Sequence, residues 1–341
     1  MYILAIDTSC DDTSAAVAKD TTVLSNVISS QTALHKKWGG VVPNLARRAH
    51  EQRIDGVVER ALKLAKISVD QIDVFAVTQG PGLAIALGVG ISKAKELATK
   101  YNKPLIAVNH MEGHIYSNFV EPGRTQQITF PLLALLVSGG HTELVFMRDH
   151  GQYEKLGETL DDAAGEAFDK VARMIGLGYP GGAALAKVAE TGNPNAYDLP
   201  VPLTKVKDLN FSYSGIKTAM HRLVKELTND GTTPLSKKQI EDIAASFQNV
   251  AIKHLVQRTK RAVEQTGVKT LLIGGGVSAN LELRKELRSA LKEFGLTVFY
   301  PRSKKLCQDN AAMIAEVAFY KAKRLEFASI IDTERSPSMD F

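Results

Sequence analysis

The segment Val108-Asn109-His110-Met111-Glu112-Gly113-His114-Ile115 places two imidazoles four residues apart. The run before it, Pro104-Leu105-Ile106-Ala107-Val108, is short, apolar and opened by proline, so it reads as a buried strand. Asn109 is placed to cap a helix beginning at His110, and the i, i+4 spacing sets His110 and His114 on one face of it. Two neutral imidazoles so arranged can chelate one borderline transition metal. The pattern stops short of a metalloprotease. That chemistry needs a glutamate directly after the first histidine to activate water, whereas Glu112 is two positions on and off the shared face. Two polar residues on a partly exposed helical turn fit the same spacing, and the pair alone does not separate the two readings.

The elements that must position this pair follow from three apolar strands, each running into a small-residue turn. Tyr2 to Ile6 leads into Asp7-Thr8-Ser9-Cys10-Asp11-Asp12-Thr13-Ser14 and on to Ala15-Ala16-Val17-Ala18. Leu132 to Val137 leads into Ser138-Gly139-Gly140-His141-Thr142 and on to Glu143-Leu144-Val145-Phe146. Both predict hairpins whose tight turns are rich in backbone and hydroxyl donors. Their shared plan points to an internal duplication of one α/β unit. The third strand, Thr270 to Ile273, enters Gly274-Gly275-Gly276-Val277-Ser278-Ala279-Asn280 and then an amphipathic helix from Leu281 to Lys292. A strand, a glycine loop and a helix N-terminus together can meet an anion or a nucleotide. None of the three turns matches a phosphate-loop or dinucleotide fingerprint.

Between these points Val74 to Val77 reads as a strand, Thr78-Gln79-Gly80-Pro81-Gly82 as a turn and Leu83 to Lys100 as a helix. Asp161 to Ile175 reads as a helix with Asp161 and Asp162 near its start, where the helix dipole favours acids. Tyr179-Pro180-Gly181-Gly182 breaks it, and a helix resumes at Ala183. Lys237 to Gly267 is one or two long helices, and Asn310 to Leu325 is a last helix with Asp309 as its N-cap. Residues beyond about 333 read as a frayed tail.

At 341 residues the chain is too long for one simple core, so two domains are expected. With 44% apolar and 23% charged residues it has the composition of an ordinary soluble protein. No apolar run is long enough to cross a bilayer, and Met1 to Asp7 lacks the features of a signal peptide. Two cysteines, Cys10 and Cys307, without an export signal predict a reducing, cytoplasmic setting. The net charge of +5 permits contact with a polyanion without requiring it. Basic clusters lie at His35-Lys36-Lys37, Arg47-Arg48, Arg302-Ser303-Lys304-Lys305 and Lys321-Ala322-Lys323-Arg324. Each taken singly fits a solvated face.

Taken in order, a set of motifs resembles the TsaD family of tRNA adenosine threonylcarbamoyltransferases, in its bacterial branch. The first are Asp7-Thr8-Ser9-Cys10-Asp11-Asp12-Thr13, Gly39-Gly40-Val41-Val42-Pro43, Gly80-Pro81-Gly82 and Asn109-His110-Met111-Glu112-Gly113-His114. Val137-Ser138-Gly139-Gly140-His141-Thr142, Asp161 to Lys170, Tyr179-Pro180-Gly181-Gly182 and Phe211 to Thr218 continue the series. Gly275 to Asn280 and Asp309 to Ala315 complete a resemblance running from residue 2 to about 325. Asp7 and Asp12 stand where the family usually has glutamate, and Asn44-Leu45-Ala46-Arg47-Arg48 replaces a typical Glu-(Ile/Leu)-Ala-Ser-Arg.

The resemblance implies a duplicated α/β fold of the actin/Hsp70/sugar-kinase (ASKHA) kind, two α/β domains with the active site in the cleft between them. The first domain would hold residues 1–125 and 308–330, the second 126–307, leaving 331–341 as a tail. The implied reaction moves a threonylcarbamoyl group from threonylcarbamoyl-AMP to the exocyclic amine of the adenosine 3′ to the anticodon, in tRNAs reading ANN codons. Threonylcarbamoyladenosine (t6A) forms and AMP is released. By residue-by-residue match, His110, His114 and Asp309 would ligate one divalent metal, Fe(2+) in the family's usual form and Zn(2+) as the alternative. Leu136, Val137, Ser138, Gly139, Gly140, Asp169, Gly182 and Asn280 would bind the adenylate, and Asp11 would take or position the amine proton. Implied partners are tRNA, a TsaB-like paralogue and a TsaE-like ATPase, with no membrane. Lys36, Lys37, Arg47 and Arg48 would meet tRNA phosphates, so binding would weaken steeply with salt. A small-molecule kinase or a nucleotide-binding module on the same fold would use the same turns without needing the histidine pair.

Overall fold

The apolar runs and small-residue turns resolve into two five-stranded sheets built on one plan. The computed structural model describes residues 1–120 and 127–341. The first part of the chain supplies β1 (Tyr2–Asp7), β2 (Asp12–Lys19), β3 (Thr22–Ser30), α1 (Thr32–His35), α2 (Pro43–Ala65), β4 (Val74–Gly80), α3 (Ala84–Tyr101), β5 (Leu105–Asn109) and α4 (His110–Tyr116). There follow β6 (Leu132–Val137), β7 (Thr142–Asp149), β8 (Gln152–Glu158), α5 (Ala164–Met174), α6 (Gly181–Ala189), α7 (Ser214–Leu227), α8 (Lys237–Thr266), β9 (Thr270–Gly274), α9 (Leu281–Leu291) and β10 (Thr297–Phe299). The chain closes with α10 (Lys304–Cys307) and α11 (Ala311–Lys323).

The strand orders are β3-β2-β1-β4-β5 and β8-β7-β6-β9-β10. In each, a hairpin (β1 with β2, β6 with β7) is antiparallel; a later strand (β4, β9) pairs in parallel with the hairpin's first strand, and a further one (β5, β10) pairs in parallel with that. The two expected hairpins are therefore the corresponding parts of a duplicated unit. The first strands are central and buried, with Ile3, Leu4, Ala5 and Ile6 in one sheet and Leu132 to Val137 in the other, as expected for short apolar runs covered on both faces.

One unit comprises Met1–Ile128, Asp149–Gln152 and Tyr300–Phe341; the other comprises Thr129–Arg148 and Tyr153–Phe299. The boundary expected at residues 125 and 126 lies outside the described residues. The chain's return to the first unit comes at Tyr300, upstream of the expected position 308.

Two expectations are corrected. Residues beyond 333 do not fray: Ser336 N–H donates to the Gln79 carbonyl at 2.9 Å, and Gly82 N–H donates to that of Pro337 at 3.2 Å. Gln79 Nε2 donates to the Glu334 carbonyl at 2.8 Å, and Asn109 Nδ2 to that of Asp340 at 3.0 Å. Gly80 is required there, since a Cβ on it would lie 1.8 Å from the Ser336 carbonyl oxygen. These bonds are made by backbone and amide groups, so no apolar pattern advertises them.

Asp161 and Asp162 precede α5 rather than opening it. Asp161 accepts from the N–H groups of Tyr213 (2.7 Å) and Ser214 (3.1 Å) and from the hydroxyls of Ser212 and Ser214, so it serves the start of α7. Asp162 instead pairs with Lys170 at 2.7 Å and Lys217 at 2.6 Å. Lys237–Thr266 is a single helix, opened by a Ser236–Gln239 capping box.

His254, fully buried on α8, accepts the Ser212 N–H on Nε2 at 3.2 Å, with the rings of Phe211 and Tyr213 edge-on to it. Burial, then the charge of Arg258, pushes it down to about 4 against a weaker pull from Asp161. The unfolded chain therefore binds a proton that the folded one refuses. Stability from this group is full above the unfolded value near 6.5 and is lost as pH falls toward 4. Urea titrations should show a loss on the order of 2 kcal/mol across that window. A His254→Gln variant should show a flatter slope, and an unchanged slope would remove His254 as the cause.

Candidate functional site

α4 starts as its sequence suggests: the Asn109 side-chain oxygen accepts from Met111 N–H at 2.7 Å. Gly113 then allows α4 to lie close on α11, since a Cβ there would come within 3.0 Å of Ile314 Cδ1. Asp309 does not cap α11 as expected; Asn310 does so instead, accepting from Met313 N–H at 3.2 Å. Asn310 is held in turn by Asn26 Nδ2 at 3.3 Å. Relieved of capping, the Asp309 carboxylate turns to the histidines.

Asp309 Oδ1 lies 3.4 Å from His110 Nε2 and 3.5 Å from His114 Nε2. The ligand atoms of the three residues lie within 4.8 Å of one another. His114 is fully buried and His110 nearly so. Among the described residues, neither nitrogen of His114, nor Nδ1 of His110, finds a hydrogen-bond partner. Buried imidazole nitrogens left without partners are costly, and two imidazoles with one carboxylate form a donor set for Fe(2+) or Zn(2+) that leaves coordination positions open. The residues fit the metal that the sequence suggested.

The electrostatics agree with a site that collects positive charge. Burial pulls His110 down, but the Asp309 carboxylate, with help from Asp7, outweighs it and pushes His110 up to about 9. Burial works against the charge on Asp309 too, yet His110 and His114 hold it well below the usual carboxylate range. His114 is lowered, chiefly by burial, with His110 adding to the effect. A metal held by these residues would displace the proton that His110 shares with Asp309.

The turn between β1 and β2 adds more acids. Asp7 is buried, accepts from Ser9 N–H at 3.1 Å, and puts Oδ1 3.9 Å from His110 Nδ1. Asp11 is raised by burial and then by the nearby charge of Asp309. Asp12 is pushed up to about 7, by burial first and then by Asp309, Asp11 and Asp7, against an opposing bond from Ser30. In the sequence Asp7 and Asp12 stand out only as departures from the family pattern. Their positions at the two ends of a buried hairpin turn are the available signal. Cys10, between Ser9 and Asp11, is raised well above its usual range by burial and then by Asp11 and Asp309, which keeps it a thiol.

In the other unit the predicted binding residues fall into three groups. Leu136 and Val137 are fully buried in β6, so only their backbone can face a ligand. The turn after them is closed by Ser138, whose Oγ accepts from His141 N–H at 3.1 Å. Gly139 and Gly140 stand open, with nothing within 4 Å of the place a Cβ would take. Two neighbours press on this turn through glycines: a Cβ on Gly165 would lie 2.5 Å from the Ser138 carbonyl, and one on Gly275 2.4 Å from that of Val137. Gly275 also has φ +87°, which disfavours any side chain. Asp169 and Gly182 form the second group: Asp169 Oδ1 accepts the N–H of Gly181 at 2.8 Å and of Gly182 at 2.7 Å. Burial nonetheless raises Asp169. Asn280, the third, caps α9 through Leu283 N–H at 3.1 Å and donates to Gln248 Oε1 at 2.8 Å.

Comparison with known proteins identifies the family and the fold. Residues 22–316 match the family model for TsaD, tRNA N6-adenosine threonylcarbamoyltransferase. A protein of that name from Symbiobacterium thermophilum is 51% identical, over 93% of this chain and 91% of its own. Another from Kosmotoga olearia is 45% identical, over 99% and 98%. Among solved structures, HypF from T. kodakarensis superposes with a TM-score of 0.61 at 15% identity, over 95% of this chain and 48% of its own. That likeness concerns the fold alone, which is the duplicated actin-like one.

Metal-stripped protein should take up one equivalent of Fe(2+) or Zn(2+). Asp309→Asn and His114→Ala should each weaken uptake by about 100-fold or more, read by equilibrium dialysis with elemental analysis. One full equivalent retained in both variants would place the metal elsewhere.

Proposed function

The chain belongs to the TsaD family, the tRNA N6-adenosine threonylcarbamoyltransferases, and on that premise we propose how it carries out the transfer. The donor is threonylcarbamoyl-AMP, and the acceptor is the adenosine 3′ to the anticodon in tRNAs that read ANN codons. The observation that supports this reading most is the set of two buried histidines, His110 and His114, with half-buried Asp309, in a chain matched to the family over residues 22–316.

The lone pair of an adenine exocyclic amine is delocalised into the ring, so the amine is a weak nucleophile. It needs an activated acyl donor, close placement and stabilisation of charge on the carbonyl oxygen. The mixed anhydride with AMP supplies the activation. Ser138, Gly139 and Gly140 present N–H groups to the adenylate phosphate, while Asp169, Gly182 and Asn280 hold its ribose and base. His110, His114 and Asp309 hold the metal, which when bound supplies Lewis acidity and orientation for the threonylcarbamoyl group. As the amine nitrogen bonds to the carbonyl carbon, the bond from that carbon to the phosphate oxygen breaks and AMP leaves. Asp11 accepts the proton the amine gives up, a role suited to a carboxylate raised above its ordinary range.

The acceptor RNA meets the first unit's basic residues Lys36, Lys37, Arg47 and Arg48. A TsaB-like paralogue and a TsaE-like ATPase are the proposed protein partners, and the cytoplasm is the proposed setting. Among the described residues no helix is long and apolar enough to cross a membrane.

Incubating the protein with both partners, ATP, threonylcarbamoyl-adenylate and unmodified ANN-decoding tRNA should yield t6A by mass spectrometry of digested RNA. The product should vanish in a His110→Ala, His114→Ala double variant. Asp11→Asn should lower kcat by about 10²- to 10⁴-fold. No product from folded protein with its cognate partners would sink the transferase reading.

A further inference from the structure

Trp38 is the only tryptophan in the chain, and it is 63% exposed. It ends a short 3-10 turn, Lys36–Trp38, whose three side chains are all exposed and which Gly39 closes in the left-handed conformation at φ 67°. Lys37 Nζ sits 5.6 Å from the centre of the indole ring, within cation–π range. Lys36, Lys37 and, at the start of α2, Arg48 form no ion pair among the described residues. Arg47 pairs only loosely with Glu51, at 3.8 Å and half exposed.

The base of this loop is built firmly. His35 is fully buried; its Nδ1 accepts from Val42 N–H at 3.3 Å, and its Nε2 faces Gln31 Oε1 at 3.2 Å. Gln31 Nε2 donates to the Ala46 carbonyl at 3.3 Å, and Gln31 N–H donates to that of Asp11 at 3.0 Å. One imidazole and one amide thus staple both ends of the 36–41 segment to α2 and to the Asp11 turn. What the frame holds out is an exposed aromatic ring with Lys37 beside it and Lys36 and Arg48 nearby along the chain.

An exposed aromatic residue among unpaired cations fits unpaired nucleotides, whose bases offer flat faces and whose phosphates are anionic. Paired RNA offers the phosphates but hides the base faces. We propose that Trp38 is a stacking platform for an unpaired base of the RNA substrate, with Lys36, Lys37 and Arg48 on the flanking phosphates. The inference rests on the transferase reading and refines it: the platform is tied through Gln31 to Asp11, the residue given the amine proton. The base takes the indole face that Lys37 leaves open.

Having one tryptophan makes the test direct. The full chain is titrated with a hairpin RNA bearing an anticodon-like single-stranded loop, and separately with a fully paired RNA of equal length, while indole emission is followed. The hairpin should quench emission saturably and the duplex should not. Trp38→Ala, at an exposed position, should bind the hairpin about tenfold more weakly with duplex binding unchanged, and Trp38→Phe should retain most of the affinity. Changing Lys36→Gln and Lys37→Gln together should weaken both RNAs and flatten the salt dependence.

Hairpin affinity of Trp38→Ala within twofold of the parent would overturn the proposal, as would equal quenching by the duplex. Emission that responds only to an added partner protein would also overturn it, reassigning Trp38 to a protein interface. A Trp38-dependent hairpin signal without t6A formation would count against the transferase reading and leave the platform standing. Product formed at the parent rate with binding indifferent to Trp38 would do the reverse.

Discussion

Carboxylate Asp309 stands between two buried imidazoles, and much of the first unit is arranged so that it can. An acid two residues before a helix can be drawn into capping it. Asn310 takes that task, and Asn26 on β3 anchors Asn310 from the other side. Gly113 removes the side chain that would hold α4 away from α11. Asn109 fixes where α4 begins and therefore which way His110 points. Each of these residues is ordinary alone. Together they bring three donor atoms into one place, where His110 and the Asp309 carboxylate hold each other's charge while His114 stays neutral, a pairing whose shared proton a bound cation would replace.

Each unit gathers its candidate site residues at one end of its own sheet, the end its parallel strands run toward. Asp7 ends β1, Asn109 ends β5, and Gln79 and Gly80 end β4 ahead of Pro81 and Gly82; in the other unit Ser138 to Gly140 follow β6 and Gly275 follows β9. The ends of parallel strands in an open α/β sheet collect turns whose N–H groups face outward, which is why ligands gather there. Duplication of one plan then gave two sets of turns that diverged in content. One filled with acids and histidines, the other with glycines that let three backbone segments close on one another. Gly165 and Gly275 show the constraint directly, since either Cβ would strike the carbonyls that close the Ser138 turn.

What was legible in the sequence follows from how locally each feature is encoded. The hairpins, the glycine loops and the histidine spacing are written in runs of a few residues, and the structure has them where the sequence put them. Asp309 as cap failed because two adjacent residues could both cap, and only the tertiary contact of Asn310 with Asn26 decides between them. Asp161 failed for a related reason: a helix dipole does favour acids, but the helix it serves is α7, some fifty residues on. The tail after 333 failed because amide and carbonyl bonds leave no trace in side-chain pattern. Trp38 carries no message in the sequence, because an aromatic in a polar loop signals nothing until the frame beneath it is seen.

That tail bears on the candidate metal site through one residue. Asn109 accepts from Met111 with its side-chain oxygen and donates to the Asp340 carbonyl with its side-chain nitrogen. An amide with both ends bonded cannot rotate without breaking one of them, so the tail holds the cap in the orientation that starts α4. The same segment is bonded on either side of Gly80 through Ser336 and Pro337. The last residues of the chain therefore help to set the direction of His110, although none of them is a ligand. A fold that places two candidate ligands on a seven-residue helix has little internal rigidity to rely on, and it draws that rigidity from α11 on one side and from residues 336–340 on the other.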